Sequence, residues 1–286
     1  MENHRVLLTG ANGFIGSTLF QHFHSVALSI DILSRDCPLA DQFQAISSKY
    51  PGSPSKFTLI HCASATPVNS SSDSIFHDNL KFALDICTAN LMHELLSNII
   101  NLSSMSVYGA HSTPLVSEST TPGSLSPYGA SKLAVEHILS SHSDLLNISC
   151  THLRLPGVVG PKSYERSRNL VSTIKYNCLL GLPLVLSNPE SFFNNIVHVA
   201  SLIDILELAC KSTFSCPRII NLSSLDALCL SDVVSIMKRN LNSASSVSWV
   251  QQTQEPFAIS TALAIQAGLP LISTHEAINK FCADPL

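Results

Sequence analysis

Residues 9–16 of the chain read Thr-Gly-Ala-Asn-Gly-Phe-Ile-Gly and directly follow the apolar run of residues 6–8. The glycines Gly10, Gly13 and Gly16 have the spacing that joins a first strand to a helix in nucleotide-binding βαβ units. Glycine is needed there because the backbone turns tightly and because a pyrophosphate must approach main-chain N–H groups at the helix N-terminus. This stretch therefore predicts a Rossmann fold.

The rest of the chain alternates short β-branched runs with longer stretches of helical period, which is typical of parallel βαβ units. Strands are predicted over residues 6–9, 30–34, 58–63, 99–103 and 149–155, and helices over 13–24, 78–96 and 128–141. Gly and Pro interrupt the pattern more often after Pro161. We expect an α/β fold with a doubly wound parallel sheet over residues 1–160 and a smaller mixed α/β substrate lobe over 161–286, with residues 194–222 as a candidate segment that returns to the first domain.

The composition narrows the classes of partner. With a net charge of -4 and a pI near 6.3, the chain offers no cationic surface for nucleic acid. No run approaches the roughly 18 uncharged apolar residues of a membrane span, and the N-terminus leaves no room for a signal peptide. None of the nine cysteines is paired at CxxC spacing. A soluble cytoplasmic protein with reduced thiols and no metal site is expected.

The end of the second predicted strand indicates which dinucleotide is bound. An acidic residue there binds a ribose 2′-hydroxyl, whereas a basic residue accepts a 2′-phosphate. Counting along the strand places Ser34 and Arg35 at the ribose, which favours NADP. A shift of one residue would instead let Asp31 or Asp36 bind NAD, so NAD is the second choice.

Two further segments carry residues suited to proton transfer. In the sequence Ser-Pro-Tyr-Gly-Ala-Ser-Lys, Tyr128 and Lys132 lie one helical turn apart and share a face. An ammonium beside a phenol favours the phenolate and lowers the tyrosine pKa, which makes the tyrosine a usable acid or base. Ser104 follows an apolar strand, at the sheet edge where ligands of open parallel sheets bind. The glycine loop, Ser104 and the Tyr-Lys pair are therefore predicted to meet in one crevice.

These motifs occur together in a known order along nearly the whole chain. They are TGANGFIG (9–16), LIHCASAT (59–66), SSMSVYG (103–109), SPYGASKLAVE (126–136), LRLPGVVGP (153–161), IVHV (196–199) and AIQAGLPLISTHEAINKF (264–281). On this basis the chain resembles an extended short-chain dehydrogenase/reductase of the NAD(P)-dependent epimerase/dehydratase family.

The resemblance implies roles for individual residues. Ser104 would polarise the reacting oxygen, Tyr128 would transfer its proton, and Lys132 would tune Tyr128 and bind the cofactor ribose. The implied cofactor contacts are Gly10, Asn12, Gly13, Phe14, Ile15, Gly16, Ser34, Arg35, Ala63, Ser64, Ala65, Tyr128, Lys132, Pro156 and Val158. The implied substrate contacts are Thr66, Ser104, Ser106, Asn169 and Asn194.

Three departures from the family pattern bear on function. Met105 and Ser106 stand where sugar dehydratases of this family carry an Asp-Glu pair, which disfavours dehydration. The segment between Arg35 and Phe57 is too short and polar for the family's third strand and its adenine-contacting aspartate. Asn194 and its neighbour replace an arginine that clamps a substrate diphosphate, and an amide brings no charge.

The leading hypothesis is an NAD(P)-dependent epimerase or reductase that transfers hydride at a carbinol or ketone carbon of a nucleotide sugar. Two alternatives remain, an NADPH-dependent reductase of a non-phosphorylated ketone or aldehyde and a non-catalytic NADP sensor. The intact Ser104, Tyr128 and Lys132 argue against the sensor. His111 is a second acid candidate. The resemblance also implies a homodimer formed through helices 78–96 and 128–141.

Overall fold

The structure is a computed structural model that describes residues 5–26, 28–51, 57–67, 70–110, 113–161, 163, 169–210, 216–251 and 257–285. Up to residue 155 the elements are β1 (Arg5–Thr9), α1 (Phe14–Ser25), β2 (Ser29–Leu33), α2 (Leu39–Lys49), β3 (Phe57–His61), α3 (Ser72–His93), β4 (Leu96–Ser104), a 3₁₀ turn (Met105–Tyr108), β5 (Leu115–Val116), α4 (Pro127–Leu146) and β6 (Ser149–Leu155). The remaining elements are β7 (Gly157–Val159), α5 (Leu170–Leu180), β8 (Leu184–Ser187), β9 (Phe192–Phe193), β10 (Ile196–His198), α6 (Val199–Ala209), β11 (Ile219–Asn221), β12 (Leu228–Cys229), α7 (Leu230–Asn240), β13 (Val247–Val250), β14 (Ala258–Ile259), α8 (Ala262–Gln266) and α9 (Thr274–Ala283).

A six-stranded sheet with the order β11-β6-β4-β3-β1-β2 forms the centre of the Rossmann region. β1 pairs in parallel with β2 on one side and with β3 on the other, and β3 pairs in parallel with β4. The chain runs from β1 outward to β2 and then continues on the other side of β1 with β3. Because β1 and β3 are parallel neighbours, their carboxyl ends lie side by side. The predicted doubly wound α/β fold is confirmed.

Helix α2 stands where the family pattern has its third strand. The described part of this segment, residues 34–51, contains α2 and no strand, so β2 is the edge of the sheet. The chain must then cross β1 to reach β3, and α2 makes that crossing. Leu39, Phe43 and Ile46 of α2 join a buried apolar cluster with Phe82 and other residues of α3 and α4. The sequence pattern did not predict this helix.

The chain divides into two compact units. The first comprises residues 1–110, 122–154 and 206–219, and the second comprises 111–121, 155–205 and 220–286. The chain thus passes between the units more than once.

The second unit is built from two-stranded pairings and short helices. β7 pairs with β10, β8 with β13 and β5 with β14 in parallel, while β9 and β12 are antiparallel. Its core gathers apolar side chains from α5, α7 and α9 around Phe193, Met237 and Phe281. In the part of the chain that the structure describes, no helix combines the length and apolar character needed to cross a membrane.

Candidate functional site

The glycine loop packs so tightly that side chains cannot replace its hydrogens. Gly10 has a φ of 72°, in the left-handed region, and a Cβ there would lie 2.7 Å from the backbone nitrogen of Ala63. A Cβ on Gly16 would overlap the carbonyl oxygen of Gly10. Gly13 is the N-cap of α1, so the positive end of that helix faces the loop without a side chain over it. This cradle suits a pyrophosphate, as the sequence predicted for these glycines and for Asn12, which is exposed beside them.

A buried hydroxyl orders the loop that faces the glycines. Thr9 Oγ1 accepts hydrogen bonds from the backbone N–H groups of Cys62 and Ala63, each at 3.1 Å, and lies 3.0 Å from Nδ1 of His61. Because its lone pairs are used, the hydroxyl donates its proton to Nδ1, so the imidazole is neutral. Burial, with the charges of Lys132 and Arg35, agrees with this assignment because it lowers the His61 pKa to about 3.

Asn79 fixes the next part of that loop. Its amide oxygen accepts from the backbone N–H of Ala65 at 2.6 Å, and its nitrogen donates to the carbonyl of Ala65 at 3.1 Å and to Ser131 Oγ at 3.0 Å. One buried side chain thus ties the segment containing Ser64, Ala65 and Thr66 to both α3 and α4. Ala65 is buried, while its two neighbours are half-buried at the crevice.

The predicted catalytic hydroxyls lie together at the end of β4. The phenol of Tyr128 interacts with the hydroxyls of Ser104 and Ser64. Ser104 Oγ also donates to Ser106 Oγ at 3.2 Å and accepts from the Ser106 backbone N–H at 3.1 Å, which caps the 3₁₀ turn. Four predicted site residues, Ser64, Ser104, Ser106 and Tyr128, therefore share one hydroxyl cluster.

Lys132 is buried one helical turn beyond Tyr128. Its Nζ donates to the carbonyl oxygen of Leu102 at 2.6 Å, and burial lowers its pKa to about 8. The pKa of Tyr128 is raised, chiefly by burial, with the two serine hydroxyls acting in the opposite direction. The lowering that sequence reasoning expected from Lys132 is therefore not seen, because the ammonium is directed to a backbone carbonyl.

The adenosine end of the crevice has a different construction. The backbone N–H of Ser34 donates to the side-chain oxygen of Gln42 at 2.9 Å. The Ser34 hydroxyl donates to the Asp36 carboxylate at 2.8 Å. Arg35 is exposed and places its guanidinium 4.8 Å from the ring centre of Phe82. A cavity of about 540 Å³ opens here. It is lined by Arg35, Asp36, Cys37, Pro38, Leu39, Asp78, Lys81, Phe82 and Asp85.

The two substrate candidates of the second unit, Asn169 and Asn194, both use their amides in hydrogen bonds within that unit. Asn169 caps α5, accepting from Ser172, and donates to the carbonyl of Val158 at 3.2 Å. Asn194 is buried and donates to the carbonyls of Ser224 and Ile259. Both amides therefore hold the second unit together.

The neighbouring Asn195 contrasts with those two amides. Its buried Oδ1 has no hydrogen-bond partner among the residues that the structure describes. That oxygen could accept a ligand hydroxyl. The remaining cofactor candidates of the second unit are Pro156, which is half-buried, and Val158, which is buried in β7. His111 lies outside the described residues.

Several site residues were missed by sequence reasoning. Asn79 and Glu136 are polar side chains buried on α3 and α4, and Thr9 is the last residue of a buried strand. A polar side chain at a position whose period places it in the core is the signal that could have found them, because such a group must be hydrogen-bonded. Among the described residues, no group of three or more His, Cys, Asp or Glu side chains is arranged to hold a metal ion.

Comparison with known proteins adds independent findings. A family model described as "NAD dependent epimerase/dehydratase family" matches residues 6–223. The UDP-glucose 4-epimerase of Mycolicibacterium smegmatis is 27% identical over 179 residues, which are 55% of this chain and 57% of that protein. The GDP-6-deoxy-D-talose 4-dehydrogenase of Aggregatibacter actinomycetemcomitans is 24% identical over 153 residues, 48% of each chain. This chain thus spans about half the length of the curated relatives it matches.

Solved structures resemble the chain over a greater length. The UDP-glucose 4-epimerase of Thermus thermophilus, in complex with NAD, has a TM-score of 0.76 at 21% identity, with 97% of both chains covered. At this level of identity the likeness shows a shared fold.

Proposed function

Since the chain belongs to the NAD-dependent epimerase/dehydratase family, we propose that it binds NAD(P) along the glycine loop and transfers hydride at a carbinol or ketone carbon of a nucleotide sugar. The observation that carries this proposal is the interaction of Ser104 with Tyr128, one helical turn from the buried Lys132. A structural tyrosine would not need two hydroxyl partners at the carboxyl end of a parallel sheet, where ligands of this fold bind.

The residues divide the work of proton transfer. When bound, the nicotinamide accepts or returns the hydride. Tyr128 takes the proton of the substrate hydroxyl during oxidation and gives it back during reduction, while Ser104 holds the same oxygen by a hydrogen bond. The pKa of Tyr128 is raised by burial, which favours the protonated phenol, the form that donates a proton during reduction.

The cofactor choice rests on Arg35. A guanidinium at the end of β2 can pair with a 2′-phosphate, and the charge of Arg35 also lowers the pKa of Lys132 and of His61, so it acts within the crevice. We therefore place NADP first and NAD second. A reductase exchanges NADPH between turnovers, whereas an epimerase retains its cofactor, and Arg35 favours the reductase.

Both curated relatives are named for chemistry at the sugar 4-position, one as an epimerase and one as a dehydrogenase. We infer that the sugar C4 is the reacting carbon. Asn195 suits a sugar hydroxyl, because its orphaned buried oxygen can only accept a hydrogen bond.

Substitution of one atom tests the function. The protein is incubated with UDP-glucose, UDP-galactose and the corresponding 4-ketosugar, with NADPH or NADH, and both epimer formation and coenzyme oxidation are followed. Tyr128→Phe should lower turnover by about 10²–10⁴-fold while leaving the cofactor dissociation constant within about twofold. Tyr50→Phe, which removes a hydroxyl bonded to Asp31 at 3.1 Å, is the matched control and should retain full turnover. Full turnover by Tyr128→Phe would refute the mechanism.

A second candidate function is the reduction of a ketone or aldehyde that carries no phosphate. It is favoured by Asn194, whose nitrogen is committed to two backbone carbonyls at the place where family members bring an arginine. The same assay separates the two candidates, because simple ketones and aldehydes would then be reduced and the nucleotide sugars would not.

We also propose that a second copy of this chain packs on α3. Large apolar side chains on this helix remain exposed, and they are Phe76, Leu84, Leu91 and Met92, with exposed fractions of 41%, 51%, 47% and 67%. Their spacing of about seven to eight residues places Phe76, Leu84 and Leu91 on one side of the helix. Sedimentation should give a dimer for the wild type and a monomer for Leu84→Glu/Leu91→Glu; a wild-type monomer would refute this part of the proposal.

A further inference from the structure

The end of β4 is bonded to α4 at three consecutive helical turns. Ser104 meets Tyr128, the carbonyl of Leu102 accepts from Lys132, and Ser103 Oγ donates to Glu136 Oε1 at 2.5 Å. Glu136 is therefore the last of three successive α4 side chains, after Tyr128 and Lys132, that bond to the end of β4.

Glu136 is itself held from the next strand. Arg154 of β6 binds it through two hydrogen bonds, Nε to Oε1 at 3.0 Å and Nη2 to Oε2 at 2.7 Å. Both side chains are at most 5% exposed. The guanidinium also lies 4.8 Å from the ring centre of Tyr108, at the end of the 3₁₀ turn that Ser104 caps. A bidentate pair of this kind fixes geometry on three elements at once.

We propose that Glu136 is a positioning residue for the hydride-transfer site: held by Arg154, it fixes α4 against β4 so that Tyr128 and Ser104 meet, and its carboxylate is a negative neighbour of the Lys132 ammonium. This inference rests on the proposed function for its kinetic consequences. Its geometric part concerns only the contacts among β4, α4 and Arg154.

The groups around Lys132 and Glu136 support an electrostatic effect of the Glu136 carboxylate on Lys132. Lys132 is surrounded by the Cys62 thiol and the imidazole of His61 from the β3 end and by Arg35 from the end of β2, with Glu136 on its own helix. Of these, Cys62 and Glu136 favour the ammonium and Arg35 opposes it. Burial opposes the ionised form of Glu136, but the Arg154 guanidinium and the Ser103 hydroxyl outweigh burial, so the Glu136 pKa is lowered. The imidazole of His152 also faces Glu136, and its own pKa is lowered to about 4 by burial.

The test replaces the ion pair without leaving a buried charge. In Glu136→Leu/Arg154→Met both charged groups become apolar groups of similar size, a change that buried ion pairs often tolerate without loss of stability. We expect kcat to fall about 10–100-fold, as for supporting residues that orient reacting groups. The alkaline limb of the pH profile should also move below its wild-type position, because Lys132 loses its favourable negative neighbour.

A second, more conservative double variant separates the positioning role of Glu136 from the effect of its charge on Lys132. Glu136→Gln/Arg154→Met keeps an oxygen that accepts from Ser103 but carries no charge. It should regain most of the lost kcat while keeping the shifted alkaline limb. This variant also serves if the leucine version fails to fold.

The matched control is the exposed pair at the other end of α4. Arg218 donates to both oxygens of Asp144, so the same helix is anchored by the same chemistry two turns beyond Glu136. Asp144→Leu/Arg218→Met should leave kcat and the pH profile unchanged. Wild-type kcat and pH profile in folded Glu136→Leu/Arg154→Met would overturn the proposal.

A crystal structure of the same variant keeps the inference separate from the proposed function. The Ser104–Tyr128 hydroxyl separation should increase beyond hydrogen-bonding distance, and this is measurable even if the wild type turns over no nucleotide sugar. An unchanged separation would overturn the positioning role, whereas absent wild-type turnover with an altered separation would overturn the proposed function alone.

Discussion

The pyrophosphate end of the crevice in the first unit is made of backbone in close contact, while its adenosine end is made of exposed side chains around a cavity. Gly10 and Gly16 meet neighbouring main-chain atoms, and Thr9 fixes the opposing loop. At the other end α2 replaces a strand, and Arg35 rests on Phe82. Substitution of Gly10 or Gly16 at the glycine loop would therefore force main-chain atoms apart, whereas the exposed residues after β2 can be replaced without altering the sheet.

Under the proposed function, we expect affinity for the dinucleotide to come mainly from the glycine loop and any discrimination between NAD and NADP to come from the end of β2. Backbone N–H groups at a helix N-terminus bind any pyrophosphate alike. An exposed guanidinium adds a modest and salt-sensitive increment. Substitutions at each end of the crevice test this division.

Gly10→Ala should have the largest effect. The left-handed conformation costs an alanine roughly 1–2 kcal/mol, and the new Cβ would push on Ala63, so we expect cofactor affinity to fall by at least about 100-fold. Gly181→Ala is the control, because Gly181 has a φ of 66° but nothing within 4 Å of its Cβ position. That variant should lose similar backbone energy and no affinity. Equal affinity losses in both variants, measured by fluorescence titration, would contradict the account.

The pH dependence of cofactor binding should report Lys132. Its pKa of about 8 in the folded protein means that the ammonium is lost as the pH rises through that value. Affinity should then fall by up to about tenfold per pH unit. The lowered pKa also means that the unfolded chain binds more protons above pH 8, so this group's contribution to stability rises with pH there. A Lys132→Met variant should bind more weakly than the wild type below pH 8 and lack this limb; retention of the limb would assign it to another group.

Loss of the Asn79 amide should have an intermediate effect. Asn79→Ala leaves the N–H and carbonyl of Ala65 without their partner, which costs roughly 1–3 kcal/mol of unfolding free energy. It should weaken cofactor binding by loosening the loop over residues 63–66. Asn240→Ala is the control, since Asn240 is exposed and its amide donates to the side chain of Asn279 at 2.7 Å. Denaturant unfolding of both variants checks the difference, and similar losses in the two would show that Asn79 plays no special part.

The smallest effect is expected at Arg35. Arg35→Ala should weaken NADPH binding by up to about fivefold, as for an exposed ion pair, and leave NADH binding unchanged. Raising the salt concentration should reduce the difference between wild type and variant. If NADH binding falls as much as NADPH binding, Arg35 does not distinguish the cofactors.

The sequence was sufficient for the features set by local constraint. The glycine spacing, the Tyr128–Lys132 turn and the end of β4 each follow from chain geometry within a few residues, and the structure places Ser104 beside Tyr128 as expected. Helix α2 was missed because its period is carried by only a few apolar residues in a polar segment, and its packing depends on α3. The direction of the Lys132 ammonium and the saturation of Asn194 were also missed, because both depend on backbone carbonyls distant in sequence.

The most direct test is a fluorescence titration of the wild-type protein with NADPH and with NADH. We predict saturable binding of both at one site per chain, tighter for NADPH, and loss of both in Gly10→Ala but not in Gly181→Ala. Absence of binding for either coenzyme, or binding unaffected by Gly10→Ala, would contradict the central claim that the glycine loop holds the dinucleotide.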